Sequence, residues 1–144
     1  MTQMTEEQYL AIDRVAEFRS DLRIRASHRM YAYPDGFVVC GKPRLADEEE
    51  DVLLNPVVIF EVLSPSTEKY DRGVKFQHYR TVDSLRDYVL VDQDQVRIEH
   101  YSRETDNTWT LHDHGKFDDE LKIASIGVSL SLGRIYDRVE LPAA

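Results

Sequence analysis

Residues 55–80 read NPVVIFEVLSPSTEKYDRGVKFQHYR, and the periodicity of this stretch decides the fold. Val57-Val58-Ile59-Phe60 and Val62-Leu63 make a run that is apolar on both faces, the pattern of a central strand covered on either side. Pro56 opens it, and Ser64-Pro65-Ser66-Thr67 ends it with residues that bond local backbone instead of continuing a ladder. From Asp71 to about Arg80 the pattern turns helical, with Phe76 and Tyr79 on an inward face and Asp71 a candidate N-cap. Glu61 alone breaks the apolar run. A carboxylate buried there costs several kcal/mol unless something compensates it.

Working outward, Phe37-Val38-Val39-Cys40 is a short apolar strand, entered through Tyr33-Pro34-Asp35 and closed by Gly41. Leu22 and Ile24 alternate with Arg23 and Arg25, which predicts a half-buried strand. Upstream, Thr5-Glu6-Glu7-Gln8 reads as a capping box, and Tyr9, Ile12, Val15 and Ala16 predict a helix to about Phe18. Residues 42–55 include Asp47, Glu48, Glu49, Glu50 and Asp51 and read as a solvated acidic loop. Downstream, Tyr88-Val89-Leu90-Val91 is a buried strand. Val96 to Tyr101 and Trp109 to Leu111, separated by turn residues, extend it into an antiparallel meander. A short helix is expected near Leu132 to Val139.

A chain of 144 residues suits one domain, and 42% apolar with 31% charged residues is an ordinary globular balance. No apolar run approaches the roughly 18 residues that span a bilayer, and MTQMTEEQYL lacks the features of a secretory signal. Cys40 is the only cysteine, so the expected setting is reducing and cytoplasmic. The net charge of -9 opposes a sequence-independent nucleic-acid binder, whose affinity rests on phosphate neutralisation. It does not oppose a protein whose acids first gather cations.

Two neighbouring strands can bring Asp35 and Glu61 to one edge of a sheet. Two carboxylates with waters and a phosphate oxygen make a magnesium site, with manganese as the substitute. Lys75, about one turn into the following helix, can point its ammonium at the same edge. Such a set suits phosphodiester hydrolysis, which needs an activated water, neutralised charge and a stabilised leaving oxygen. Each residue also has a plainer reading. Glu61 can pair with an arginine, Asp35 can be a turn residue, and Lys75 can be solvated or paired with Asp71 at i, i+4. His112 and His114 have ligand-like spacing but no third ligand to make a zinc site.

YPDGFVVCG, the 55–80 stretch and SLRDYVLVDQDQVRIEHY together resemble the Uma-two restriction endonuclease family, a branch of the PD-(D/E)xK nuclease superfamily. The resemblance runs from about Asp21 to Leu141, and SPST-x-x-YDRG-x-K is its most specific part. It implies an α/β (α+β) restriction-endonuclease-like fold: a mixed central sheet flanked by helices, with an antiparallel C-terminal meander. One such domain would span residues 1–144, with an N-terminal helix in 1–20 and the nuclease core in 21–144. The implied activity is metal-dependent cleavage of DNA. Asp35 matches the PD aspartate, Glu61 the second acid, and the backbone carbonyl of Val62 would be a further metal ligand. Leu63 stands where the parent motif has lysine, and Lys75 fits the branches whose lysine has moved to the next helix.

Relatives usually insert a hairpin and a long core helix before the strand that begins at Asp21. That helix often supplies another acid, for which Glu6, Glu7 and Glu17 are the candidate substitutes. Its absence would bare apolar sheet surface and favour a homodimer. The alternative function is a catalytically inactive, nuclease-derived interaction module.

Overall fold

The computed structural model describes residues 16–27, 30–46 and 49–141. The strands are β1 (Ala16–Arg19), β2 (Arg23–Ser27), β3 (Met30–Ala32), β4 (Gly36–Cys40), β5 (Leu45–Ala46) and β6 (Glu49–Leu53). They continue with β7 (Val58–Leu63), β8 (Asp87–Asp92), β9 (Ile98–Arg103), β10 (Trp109–His114), β11 (Glu120–Ile123) and β12 (Val128–Ser131). Between β7 and β8 run α1 (Glu68–Tyr70), a π-helical turn (Asp71–Lys75) and α2 (Phe76–Tyr79). A 3-10 turn (Ala124–Ile126) joins β11 to β12, and α3 (Leu132–Ile135) follows.

The main sheet has the order β1-β4-β7-β8-β9-β10. Only β7 and β8 are parallel in it; the helical segment between them is the crossover that parallel neighbours require. The other pairs are antiparallel, including the expected β8-β9-β10 meander. A mixed central sheet is therefore present. A second sheet, β3-β2-β6-β5, and the β11–β12 hairpin pack around it.

Alternation along β8 shows how both faces are filled. Tyr88 and Leu90 point to a core that includes Ile24, Leu53, Phe76 and Tyr79 from the second sheet and the helical segment. Val89 and Val91 point the other way, onto Leu121, Ile123, Val128, Leu130 and Leu132. The apolar surface expected to lie bare is covered on both faces; Val38, Val58, Ile59, Tyr88 and Leu90 are all fully buried.

Several expectations are corrected. Ala16 to Phe18 belong to β1, not to a helix, because Phe18 faces Val38 on β4 and its ring meets Phe60 edge-on. Residues 1–15, which carry the rest of the expected helix, lie outside the described residues. The acidic stretch 42–55 contains β5 and β6, not only loop. Val52 and Leu53 are fully buried, β6 runs parallel to β2, and Asp51 meets Arg23 at 3.0 Å. Strand β6, at the end of the acidic run, lies beside an arginine-bearing strand. Asp71 is not an N-cap: the helix already starts after Thr67, and Asp71 has helical angles, φ -65 and ψ -38. The last helix is shorter than expected, ending at Ile135. No helix among the described residues is long and apolar enough to cross a membrane.

Candidate active site

Asp35, Glu61 and Lys75 meet, and strand register explains why. In the β4–β7 pair Gly36 lies opposite Phe60. One step further along an antiparallel ladder sets Asp35 opposite Glu61, with both side chains on one face. Asp35 Oδ2 then accepts a 2.7 Å hydrogen bond from the Val62 N–H, which ties the exposed aspartate to the strand bearing Glu61. Val62 thus enters the site through its N–H.

Glu61 is only 4% exposed. Burial pushes its carboxyl up to about 8, and the Lys75 ammonium only partly offsets this. Asp35 and Asp71 add to the upward push, as like charges do. Lys75 Nζ lies 3.0 Å from Glu61 Oε1 and 3.3 Å from Asp71 Oδ1. Burial alone lowers the lysine, but the Glu61 and Asp71 carboxylates more than reverse that, and it stays above its ordinary value.

The helical segment aims these groups. Each α-helical residue turns about 100°, and a π turn takes in one extra residue. The eight-residue step from Asp71 to Tyr79 then behaves as about seven, close to two full turns. Asp71, Lys75 and Tyr79 accordingly share the face toward Glu61. Burial, then the charges of Glu61 and Asp71, hold the Tyr79 phenol well above its usual range. The Tyr88 hydroxyl donates to the Asp71 carbonyl at 2.9 Å, fixing the π turn from the core side.

Two buried oxygens here have no hydrogen-bond partner: Glu61 Oε1 and the Tyr79 hydroxyl. Glu61 Oε1 is held by the Lys75 ammonium at 3.0 Å, and a carboxylate oxygen with one such contact keeps a lone pair for a further partner. Glu61 and Asp71 share the one ammonium, and Asp35 adds a further acid beside Glu61. A buried carboxylate oxygen without an assigned hydrogen bond, beside a second hard carboxylate, fits a divalent cation. Asp35 and Glu61 supply two side chains; among the described residues no group of three or more His, Cys, Asp or Glu is placed to hold a metal.

Neighbouring polar residues are accounted for by local bonds. Ser64 N–H donates to Thr67 Oγ1 at 3.2 Å, as strand-ending residues do. Arg72 is bound to Glu99, with a closest approach of 2.5 Å, and to Glu68 at 3.2 Å. His112 Nε2 lies 3.1 Å from Ser102 Oγ. Of the acids considered for a further place near the metal, Glu17 is exposed on β1, and Glu6 and Glu7 lie outside the described residues. The third acid beside Lys75 is Asp71. Its i, i+4 spacing to Lys75 was the available signal, and its burial was the part that spacing does not reveal.

The uncharacterized proteins sll1609 and slr1290 of Synechocystis sp. are 40% identical over 95 residues and 38% identical over 118 residues. These matches cover 65% and 81% of this chain but 54% and 60% of the relatives, so the chain spans little more than half their length. The fold matches the crystal structure of "a putative nuclease belonging to DUF820" from Anabaena variabilis, with a TM-score of 0.71 at 16% identity. That match covers 96% of this chain and 86% of the other, and it shows that the two share a fold. The model of the Uma2 family, described as "Putative restriction endonuclease", matches residues 6–133, and the chain belongs to that family.

Proposed function

We propose that the protein is a divalent-metal-dependent endonuclease that hydrolyses DNA phosphodiester bonds. The observation that carries this is the buried Glu61 carboxylate, opposite Asp35 and in contact with Lys75. Asp35, Glu61 and the Val62 carbonyl would hold magnesium or manganese. The bound ion would polarise the phosphate and lower the pKa of a coordinated water. Lys75 would orient the water or offset charge developing on the phosphate. Its raised pKa supports that role, since the ammonium stays charged at neutral pH. Membership of a nuclease family supports the reaction class.

Plasmid nicking in magnesium tests the reading. Asp35→Ala, Glu61→Ala and EDTA should each abolish nicking, whereas Lys75→Ala should reduce turnover more than metal affinity. Equal activity in all three variants removes the site.

A second reading, a nuclease-derived interaction module without catalysis, draws on the lack of a three-ligand group among the described residues. Calorimetric titration with magnesium or manganese separates the two. Glu61-dependent binding favours the enzyme; no binding favours the module.

A further inference from the structure

Lys75 has two anionic partners, and only one of them belongs to the metal half-site. Its Nζ is 3.0 Å from Glu61 Oε1 and 3.3 Å from Asp71 Oδ1. A divalent cation engaging Glu61 would meet this ammonium at the same carboxylate, and two cations so close repel strongly in a poorly solvated site. The ammonium then needs another anion within reach. Asp71 is already in contact, is only 3% exposed, and sits in a π turn whose carbonyl is held by the fully buried Tyr88. It cannot readily follow the lysine outward.

We propose that Asp71 is a positioning residue that takes the Lys75 ammonium as a divalent cation engages Glu61, so that the lysine yields the carboxylate without leaving the site. This rests on the metal-site reading above. Lys75 needs only a small shift, because both oxygens are already within ion-pair distance. No bond is made or broken, and the proton stays on Nζ. The π turn gains a purpose: it keeps Asp71 and Lys75 on the face that meets β7.

Manganese binding, measured by calorimetry without DNA, reads this directly. Asp71→Asn leaves Lys75 with Glu61 as its only anionic partner, so the ammonium competes with the metal. Affinity should fall about tenfold. Lys75→Met removes the competitor and should bind at least as tightly as wild type. The double variant D71N/K75M should match K75M, because Asp71 matters only while there is an ammonium to hold. A D71N variant that binds as wild type overturns the proposal. So does a double variant as weak as D71N, which would make Asp71 a ligand or a purely structural group.

In wild-type protein, the Lys75 side-chain ammonium resonance should stay protected from solvent exchange when magnesium is added. Its loss on metal addition overturns the proposal even if D71N fails to fold. Glu61→Ala separates the layers of the argument. If it abolishes manganese binding while D71N does not weaken it, only the Asp71 assignment fails. If no binding depends on Glu61, the metal-site reading falls and this proposal with it. Glu61-dependent binding with the expected variant order but no nicking leaves Asp71 in place and removes only the nuclease activity.

Discussion

Glu61→Gln offers the sharpest test, because it exchanges a carboxyl for a neutral group of the same shape. In the fold the Glu61 carboxyl is pushed from 4.5 to about 8, chiefly by burial. A carboxyl raised in the folded state binds its proton more tightly there than in the unfolded chain. Its contribution to stability is complete below about pH 4.5 and is lost as the pH rises through about 8. At roughly 1.4 kcal/mol per pH unit, the full loss is on the order of 5 kcal/mol. Allowing for relaxation and water entry, roughly 2–5 kcal/mol is the range to expect. Wild type and E61Q should therefore agree within about 1 kcal/mol at pH 5, where both groups are neutral. By pH 9 the variant should be the more stable by that margin. Urea unfolding in EDTA at pH 5, 7 and 9 measures the difference, and other titrating groups cancel between the two proteins. Parallel pH profiles for the two chains would refute the reasoning. Since metal binding requires the ionised carboxylate, magnesium should stabilise wild type increasingly from pH 6 to 8 and E61Q little at any pH.

Lys75→Ala leaves Asp71 without its cation, while Glu61 can stay protonated at neutral pH; metal-free stability should fall by about 1–3 kcal/mol in urea, and an unchanged midpoint would contradict the pairing. Gly36→Ala sets a Cβ 2.5 Å from Phe18 Cζ and 2.6 Å from Cε2, so the ring must move. A loss of about 1–3 kcal/mol follows, partly recovered by Phe18→Leu in the same chain, and an unaltered melting curve for Gly36→Ala would count against that packing. Arg72→Ala leaves Glu99, 5% exposed, with Arg97 at 3.6 Å as its remaining cation. The expected loss is about 1–3 kcal/mol, since Arg72 is itself partly solvated; less than about 0.5 kcal/mol would show the pair to be idle. Tyr79→Phe removes a buried hydroxyl with no partner, so stability without metal should hold or rise. A drop beyond about 2 kcal/mol would reveal a bond the hydroxyl makes.

The central frame was legible because its signal is simple. Residues 57–63 and 88–91 are apolar on both faces, and they became the adjacent parallel pair β7 and β8. Glu61 stood out by chemistry alone, being the one charge in that run. Other elements were harder to read for identifiable reasons. Ala16 to Phe18 continue a helical pattern, and only pairing with β4, distant in sequence, makes them a strand. In 42–55 the acidic charge masked Val52 and Leu53, whose partners lie on β2. Leu121, Ile123, Val128 and Leu130 do alternate, so the β11–β12 hairpin had a local signal, though its strands are short. Asp71 was the subtlest case. Its i, i+4 relation to Lys75 fits a solvated surface pair equally well. Only the π turn and the packing of Tyr88 place it inside.

The arrangement also bears on how an acidic chain could serve the proposed phosphate-cleaving site. A net charge of -9 would repel a polyanion if spread evenly over the surface. Here Glu61 and Asp71 are buried beside Lys75, while Asp51 and Glu99 are matched by Arg23 and Arg72. At the Asp35–Glu61 edge, Lys75 is an ammonium that Glu61 shares with Asp71. There the sheet, packed on both faces by separate cores, holds a carboxylate that solvent would otherwise stabilise. A buried carboxylate in that state favours the fold least when it is ionised and alone, and most when a cation meets it. Folding energy from the two cores is thereby committed to holding that carboxylate, and on the proposed reading a divalent ion would relieve the cost. The chain without a metal at alkaline pH would then be the least stable form of the protein, and metal affinity and fold stability would be two measures of the same carboxylate.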